Sequence, residues 1–250
     1  MLDGLIAALS LSALPWLGAA AFLAGTVYGF AGFGAALVFM PISVALIAPA
    51  MAVAAFALTA LIALVTVVPR AWGAVDKPGL GQMLLGTMLG FPLGIWALRV
   101  WDGTWIRLAV SAVVLLTLAV LVAGWRMAAR PRPAARLGVG AATGLIGGAT
   151  GVTGPVVILF NLGAGAPAAQ TRAITLVFLT LCSGLLLGQL WLQGLLPPQA
   201  IWLGIVLMVP YGLGNWIGQA LFNPRAEMLY RRVAYAIIAG SALVGLPIWT

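Results

Sequence analysis

Histidine is absent from this 250-residue chain, cysteine occurs once and acids occur four times. A metal centre draws its ligands from His, Cys and carboxylates, so no metal and no cofactor is expected. Cys182 stands alone, which excludes an intrachain disulfide. An intramembrane enzyme would lack its usual acid–base and metal groups. The acids Asp3, Asp76, Asp102 and Glu227 all fall near the ends of apolar blocks or in loops. An intramembrane proton relay built on a carboxylate or histidine is therefore not expected. Charge of either sign is scarce, at 6% of residues, against about 25% in soluble domains.

What fills the chain is apolar: 64% of its residues are hydrophobic. Apolar blocks run about 12–48, 50–69, 79–98, 106–125, 137–165, 173–193, 199–221 and 229–249. Runs of about 18 or more such residues are the transmembrane signal. The stretch from Met1 to Ala24 holds no Lys or Arg, so it lacks the basic start of a cleaved signal peptide. The first apolar segment is expected to stay in the mature protein. Net charge is +8, and eleven of the twelve basic residues are arginine. With no basic domain outside the apolar blocks, topology explains that excess better than nucleic-acid binding.

The longest hydrophilic stretch, RMAARPRPAAR (126–136), divides the chain into halves with matching landmarks. Gly25, Gly29 and Gly32 match Gly144, Gly148 and Gly151 at a shift of 119, and Gly90, Gly94 and Arg107 match Gly214, Gly218 and Arg231 at a shift of 124. The first block of each half is anomalous. An unbroken helix over 12–48 would be about 55 Å long, against a hydrocarbon core of about 30 Å. That block holds GFAGFG (29–34) and then Pro41, and the second half holds GGATGVTGP (147–155) at the same place. Such clusters predict a broken or re-entrant helix, tolerated at membrane depth only beside protein or a water-filled cavity.

Counting basic residues sets the expected topology. Four simple crossings per half put six on each side: Arg70, Lys77, Arg126, Arg130, Arg132 and Arg136 against Arg99, Arg107, Arg172, Arg225, Arg231 and Arg232. An even number of crossings in each broken block moves Arg172, Arg225, Arg231 and Arg232 to the first group, leaving ten against Arg99 and Arg107. The second count obeys the positive-inside bias. The expected fold is thus an all-α, polytopic transmembrane bundle of two inverted repeats, each opening with a broken or re-entrant helix. Residues 1–125 form the N-terminal repeat, 126–136 a basic cytoplasmic linker and 137–250 the C-terminal repeat, with both chain termini outside.

Backbone N–H groups at a break lose their carbonyl partners, and a half-helix N-terminus carries partial positive charge. Together these make a small-anion site without a formal charge. Candidate substrate-binding residues are Tyr28, Gly29, Gly32 and Gly34 in the first motif, and Gly148, Thr150, Gly151, Thr153 and Gly154 in the second. Asn161 follows closely enough to reach the same ligand. Close helix packing competes with the ligand reading and fits Gly25-x3-Gly29 and Gly144-x3-Gly148 well. For Gln82, Gln189, Asn215 and Gln219, hydrogen bonding between helices is the better reading. Arg172 serves either the inside-positive bias or the attraction of anions to a cytoplasmic mouth. Most tryptophans lie near block ends and read as interfacial anchors.

The segments GFAGFGAALVFMP and GLIGGATGVTGPVVILFN resemble the paired signatures of the TauE/SafE sulfite exporter family, and GTMLGFPLG and YGLGNWIG match its later pattern. The resemblance covers nearly the whole chain. It implies a permease of the bacterial inner membrane for small anions such as sulfite, sulfoacetate or related organosulfur compounds. The chain departs from the commonest form in having no triple glycine in either motif, with GFGAA and GVTGP instead. The rival function is a non-transporting membrane scaffold for a partner protein, which has no need of strained backbone at mid-membrane.

Overall fold

In a computed structural model, described for residues 2–124, 132–163, 168–221 and 227–247, the chain is helical, with no strand among those residues. A short α1 (Leu2–Leu9) precedes α2 (Leu14–Ala31) and α3 (Ala35–Leu46), which are separated by Gly32, Phe33 and Gly34. Then come α4 (Pro49–Thr59) and α5 (Ala63–Thr66), joined through a 3-10 turn into one span. After them follow a single-turn α6 (Val68–Ala71), α7 (Lys77–Val100) and α8 (Gly103–Val122). The second half runs α9 (Pro133–Thr150), α10 (Gly154–Gly163), α11 (Ala168–Leu192), α12 (Pro198–Leu221) and α13 (Glu227–Gly245). Among the described residues six helical stretches are long and apolar enough to cross a membrane. The all-α, multi-span expectation therefore holds.

Local chemistry explains several boundaries. Asp76 caps α7 by accepting from the Gly79 N–H at 3.3 Å, and Pro78 sits in the first turn, where a missing N–H costs nothing. Pro133 plays the same part in α9. Residues 133–136, expected in the linker, thus form the first turn of that helix, while 126–131 lie outside the described residues. Pro41 was expected to contribute to the first break but lies inside α3. The chain breaks at the glycines instead, and proline within a membrane helix is accommodated by its neighbours.

The glycines at matching positions build matching interfaces. A Cβ on Gly25 or Gly29 of α2 would strike the carbonyl of Tyr211 or Asn215 on α12, and one on Gly214 or Gly218 of α12 would strike that of Phe22 or Thr26 on α2. On α7, Gly86, Gly90 and Gly94 meet the carbonyls of Leu137, Ala141 and Leu145 on α9, while Gly140 and Gly144 of α9 meet those of Met83 and Thr87. Between membrane helices, van der Waals contact and not water release drives association, so small residues that let backbones touch are what holds these pairs. Each broken helix is therefore clasped by a helix of the other half, in a parallel pair.

Contacts at the two ends fix helix directions. Arg136 pairs with Asp76 at 2.7 Å, joining the starts of α9 and α7. Arg172, near the start of α11, donates to the Gly29 carbonyl near the end of α2 at 2.8 Å. At the opposite end Gln199 donates to the Ala7 carbonyl at 3.0 Å, and Gly103 lies against Pro49. Helix α2 thus runs toward the end that holds Arg70, Lys77, Arg132, Arg136 and Arg172, and α9 runs away from it. Arg99 and Arg107 lie at the other end, on the last turn of α7 and the start of α8.

Candidate functional site

Both breaks use one backbone device. The last helical turn of α2 closes on Gly32 (φ 78°), whose N–H donates to the Tyr28 carbonyl at 2.9 Å. That of α9 closes on Gly151 (φ 73°), whose N–H donates to the Gly147 carbonyl at 2.7 Å. Left-handed caps of this kind favour glycine, because a Cβ there crowds the backbone. Two residues on, the chain starts a new helix. Gly34 (φ 95°) caps α3 without a side chain, and Thr153 precedes Gly154 and Pro155 at the start of α10.

The starts of α3 and α10 line one cavity. Gly34, Ala35 and Ala36 contribute from the first break, and Thr153 and Gly154 from the second. Tyr28, Thr180, Ser183 and Tyr211 add hydroxyls from α2, α11 and α12. The first-turn N–H groups of a helix have no carbonyl four residues back, so two helix N-termini with partial positive charge share this space. Neither a carboxylate nor an arginine or lysine is among the described lining residues.

Three of these hydroxyl protons are held on nearby acceptors. Thr180 donates to the Leu176 carbonyl at 2.9 Å and Ser183 to the Leu179 carbonyl at 3.1 Å, each four residues back in α11. The Tyr28 hydroxyl donates to the same Leu176 carbonyl at 3.3 Å and lies 3.3 Å from Thr180 Oγ1. A hydroxyl rotor turns to suit its partner, so each of these groups is able to offer its proton to a bound ligand. One wall is aromatic. Tyr28 and Tyr211 have ring centroids 6.2 Å apart, and Phe56 meets Tyr211 edge-on at 6.2 Å while stacking on Phe39 at 4.8 Å.

Of the sequence candidates, Tyr28, Gly34, Thr153 and Gly154 line this cavity. Gly32 and Gly151 form the caps beside it. Gly29 and Gly148 lie in the helix contacts, against α12 and α7. The Thr150 hydroxyl is used within the turn, donating to the Ile146 carbonyl at 2.7 Å and accepting from the Val152 N–H at 3.2 Å. Asn161 is placed apart. It donates to Thr175 Oγ1 at 3.0 Å and lines a separate cavity with Asp76, Arg136 and Gln170. Thr180, Ser183 and Tyr211 were missed. Hydroxyls inside otherwise apolar spans were the available signal, but such residues also serve as ordinary helix contacts.

A family model described as Sulfite exporter TauE/SafE matches residues 17–244. The comparisons with curated proteins and with solved structures returned no match.

Proposed function

From the premise that the chain belongs to the sulfite exporter TauE/SafE family, one of membrane transporters and not of enzymes, we propose that it exports a small sulfur oxyanion through the cavity between its two helix breaks. Sulfite, sulfoacetate and related sulfonates are the substrate class. The observation that carries this reading is the single cavity lined by the starts of both α3 and α10 with four side-chain hydroxyls besides Thr153. These oxyanions offer oxygens that accept, and the lining offers N–H and O–H groups that donate. Burying a bare anion costs several kcal/mol, so many donors have to converge. A neutral lining also releases the ion again once it is rehydrated.

In this reading the halves are inverted repeats, with the arginine-rich end cytoplasmic and the membrane the bacterial inner one. The opposed directions of α2 and α9 support the inversion, and one half rocks against the other to alternate access. The substrate itself carries any coupled proton, since sulfite and bisulfite interconvert near neutral pH and the acids Asp3, Asp76 and Asp102 stand near helix starts or ends. Proteoliposome flux with a panel of anions, with and without a pH gradient, tests the proposal. Saturable sulfite or sulfonate flux that persists in Asp76→Asn and Asp102→Asn supports it. A protein that moves no anion favours the scaffold reading, and flux lost on neutralising either acid contradicts the substrate-borne proton.

A further inference from the structure

Beside the central cavity, and sharing Tyr28 in its lining, lies a second cavity. Tyr28 and Gly29 of α2, Arg70 of α6, Arg172 of α11, and Asn215 and Gln219 of α12 line it. It lies at the arginine-rich end. Its described lining has two guanidinium groups and no carboxylate. The neighbouring cavity at the same end has both Arg136 and Asp76 in its lining, paired at 2.7 Å.

We propose that this second cavity is a capture station for the same class of small sulfur oxyanion, which Arg70 and Arg172 hold before it passes Tyr28 into the central cavity. The proposal rests on the transport reading above. A neutral central site cannot draw an anion from a distance, whereas cationic side chains in a cleft raise the local anion concentration and the capture rate. Guanidinium is the group suited to oxyanions, because its planar fork presents parallel N–H donors. Arg172 is positioned for this. Its Nη2 donates to the Gly29 carbonyl at 2.8 Å, and its stem passes over Gly32, where a Cβ would stand 2.8 Å from Cγ and 2.9 Å from Nε. The bare cap of α2 thus makes room for the side chain. On the facing wall, Gln219 Nε2 donates to Asn215 Oδ1 at 3.1 Å, a second polar surface in an otherwise apolar bundle. Tyr28, held by the Leu176 carbonyl and Thr180 at 3.3 Å each, is the partition an ion passes between stations.

The test is sulfite flux from each face of orientation-sorted proteoliposomes, with sulfite calorimetry on the purified protein. Arg70→Gln, alone and with Arg172→Gln, is expected to raise KM at the arginine-rich face about tenfold while kcat stays within about twofold. KM at the other face stays unchanged, and the salt dependence of uptake at the first face weakens. Arg99→Gln, the same charge loss at the opposite end, leaves KM at the arginine-rich face unaltered. Because Arg70 is exposed, its single variant retains the test if the double variant fails to fold. An unchanged KM at the arginine-rich face in Arg70→Gln, or a fall in kcat alone, overturns the capture station. Sulfite heat that disappears with the arginines in a protein without flux keeps the station and defeats the transport reading. Absence of sulfite heat in the unmodified protein overturns the station, even where flux persists.

Discussion

The two helix breaks share a backbone and differ in what covers them. Gly32 and Gly151 stand at matching sequence positions and share the left-handed conformation and the hydrogen bond to the carbonyl four residues back. Over Gly32 lies the flexible stem of Arg172, beside a polar cavity. Over Gly151 lie Met40 and Val53, both buried, with Met40 Sδ 2.9 Å from where a Cβ would stand. At the next matched position Gly34, at φ 95°, has Thr153 as its counterpart, which brings a hydroxyl in place of a bare backbone. The matched motifs give two similar helix ends, one covered by a flexible charged side chain and the other by packed apolar ones.

The largest expected effect comes from breaking the caps. Gly32→Leu and Gly151→Leu each force a side chain into a left-handed position, at about 1–2 kcal/mol before any collision. Both are expected to abolish anion flux in protein that still inserts, as membrane fractionation beside a flux assay would record. Normal flux in both would return the glycines to a packing role alone. Milder changes sharpen the comparison. Gly151→Ala should lower the melting temperature more than Gly32→Ala, because buried Met40 has less freedom than the Arg172 stem. Equal losses would remove the distinction between the covers.

Next in size is Thr153→Val, which deletes one donor without changing shape. A hydrogen bond to a charged group contributes about 1.5–3 kcal/mol, so kcat/KM should fall roughly ten- to a hundredfold with the melting temperature nearly kept. Tyr28→Phe removes a bond held at 3.3 Å and one proposed donor to the ion, with a loss of about tenfold or less expected. Smallest is Asn161→Ala. Its amide bonds Thr175 and faces a different cavity, so it should cost some stability and change KM less than Thr153→Val does. A larger KM effect at Asn161 than at Thr153 would shift the site toward the cavity of Asp76 and Arg136.

Much of the architecture was legible because membranes simplify the problem. Five of the eight apolar blocks became single helices, and the glycine clusters marked both breaks, since glycine adopts those left-handed conformations most readily. Pro41 misled because a proline inside a protein-lined span need not end it. The pairing of α2 with α12 and of α7 with α9 was not legible. Gly214 and Gly218 announce a close contact, but nothing in their spacing names the partner. The candidate site divided on the same line. Gly34, Thr153 and Gly154 were readable as local consequences of the break. Thr180, Ser183 and Tyr211 reach the cavity through tertiary packing, and Thr150, two residues from the second break, turns its hydroxyl into the turn itself.

The central claim is that one cavity between the two breaks binds the transported oxyanion. Its most direct test is sulfite flux into proteoliposomes for the chain as it stands and for the double variant Thr153→Val with Thr180→Val, one residue from each side of that cavity. Two lost donors at about 1.5–3 kcal/mol each predict a drop in kcat/KM of a hundredfold or more, with folding and insertion retained. Flux at the unmodified rate in the folded double variant would contradict the account.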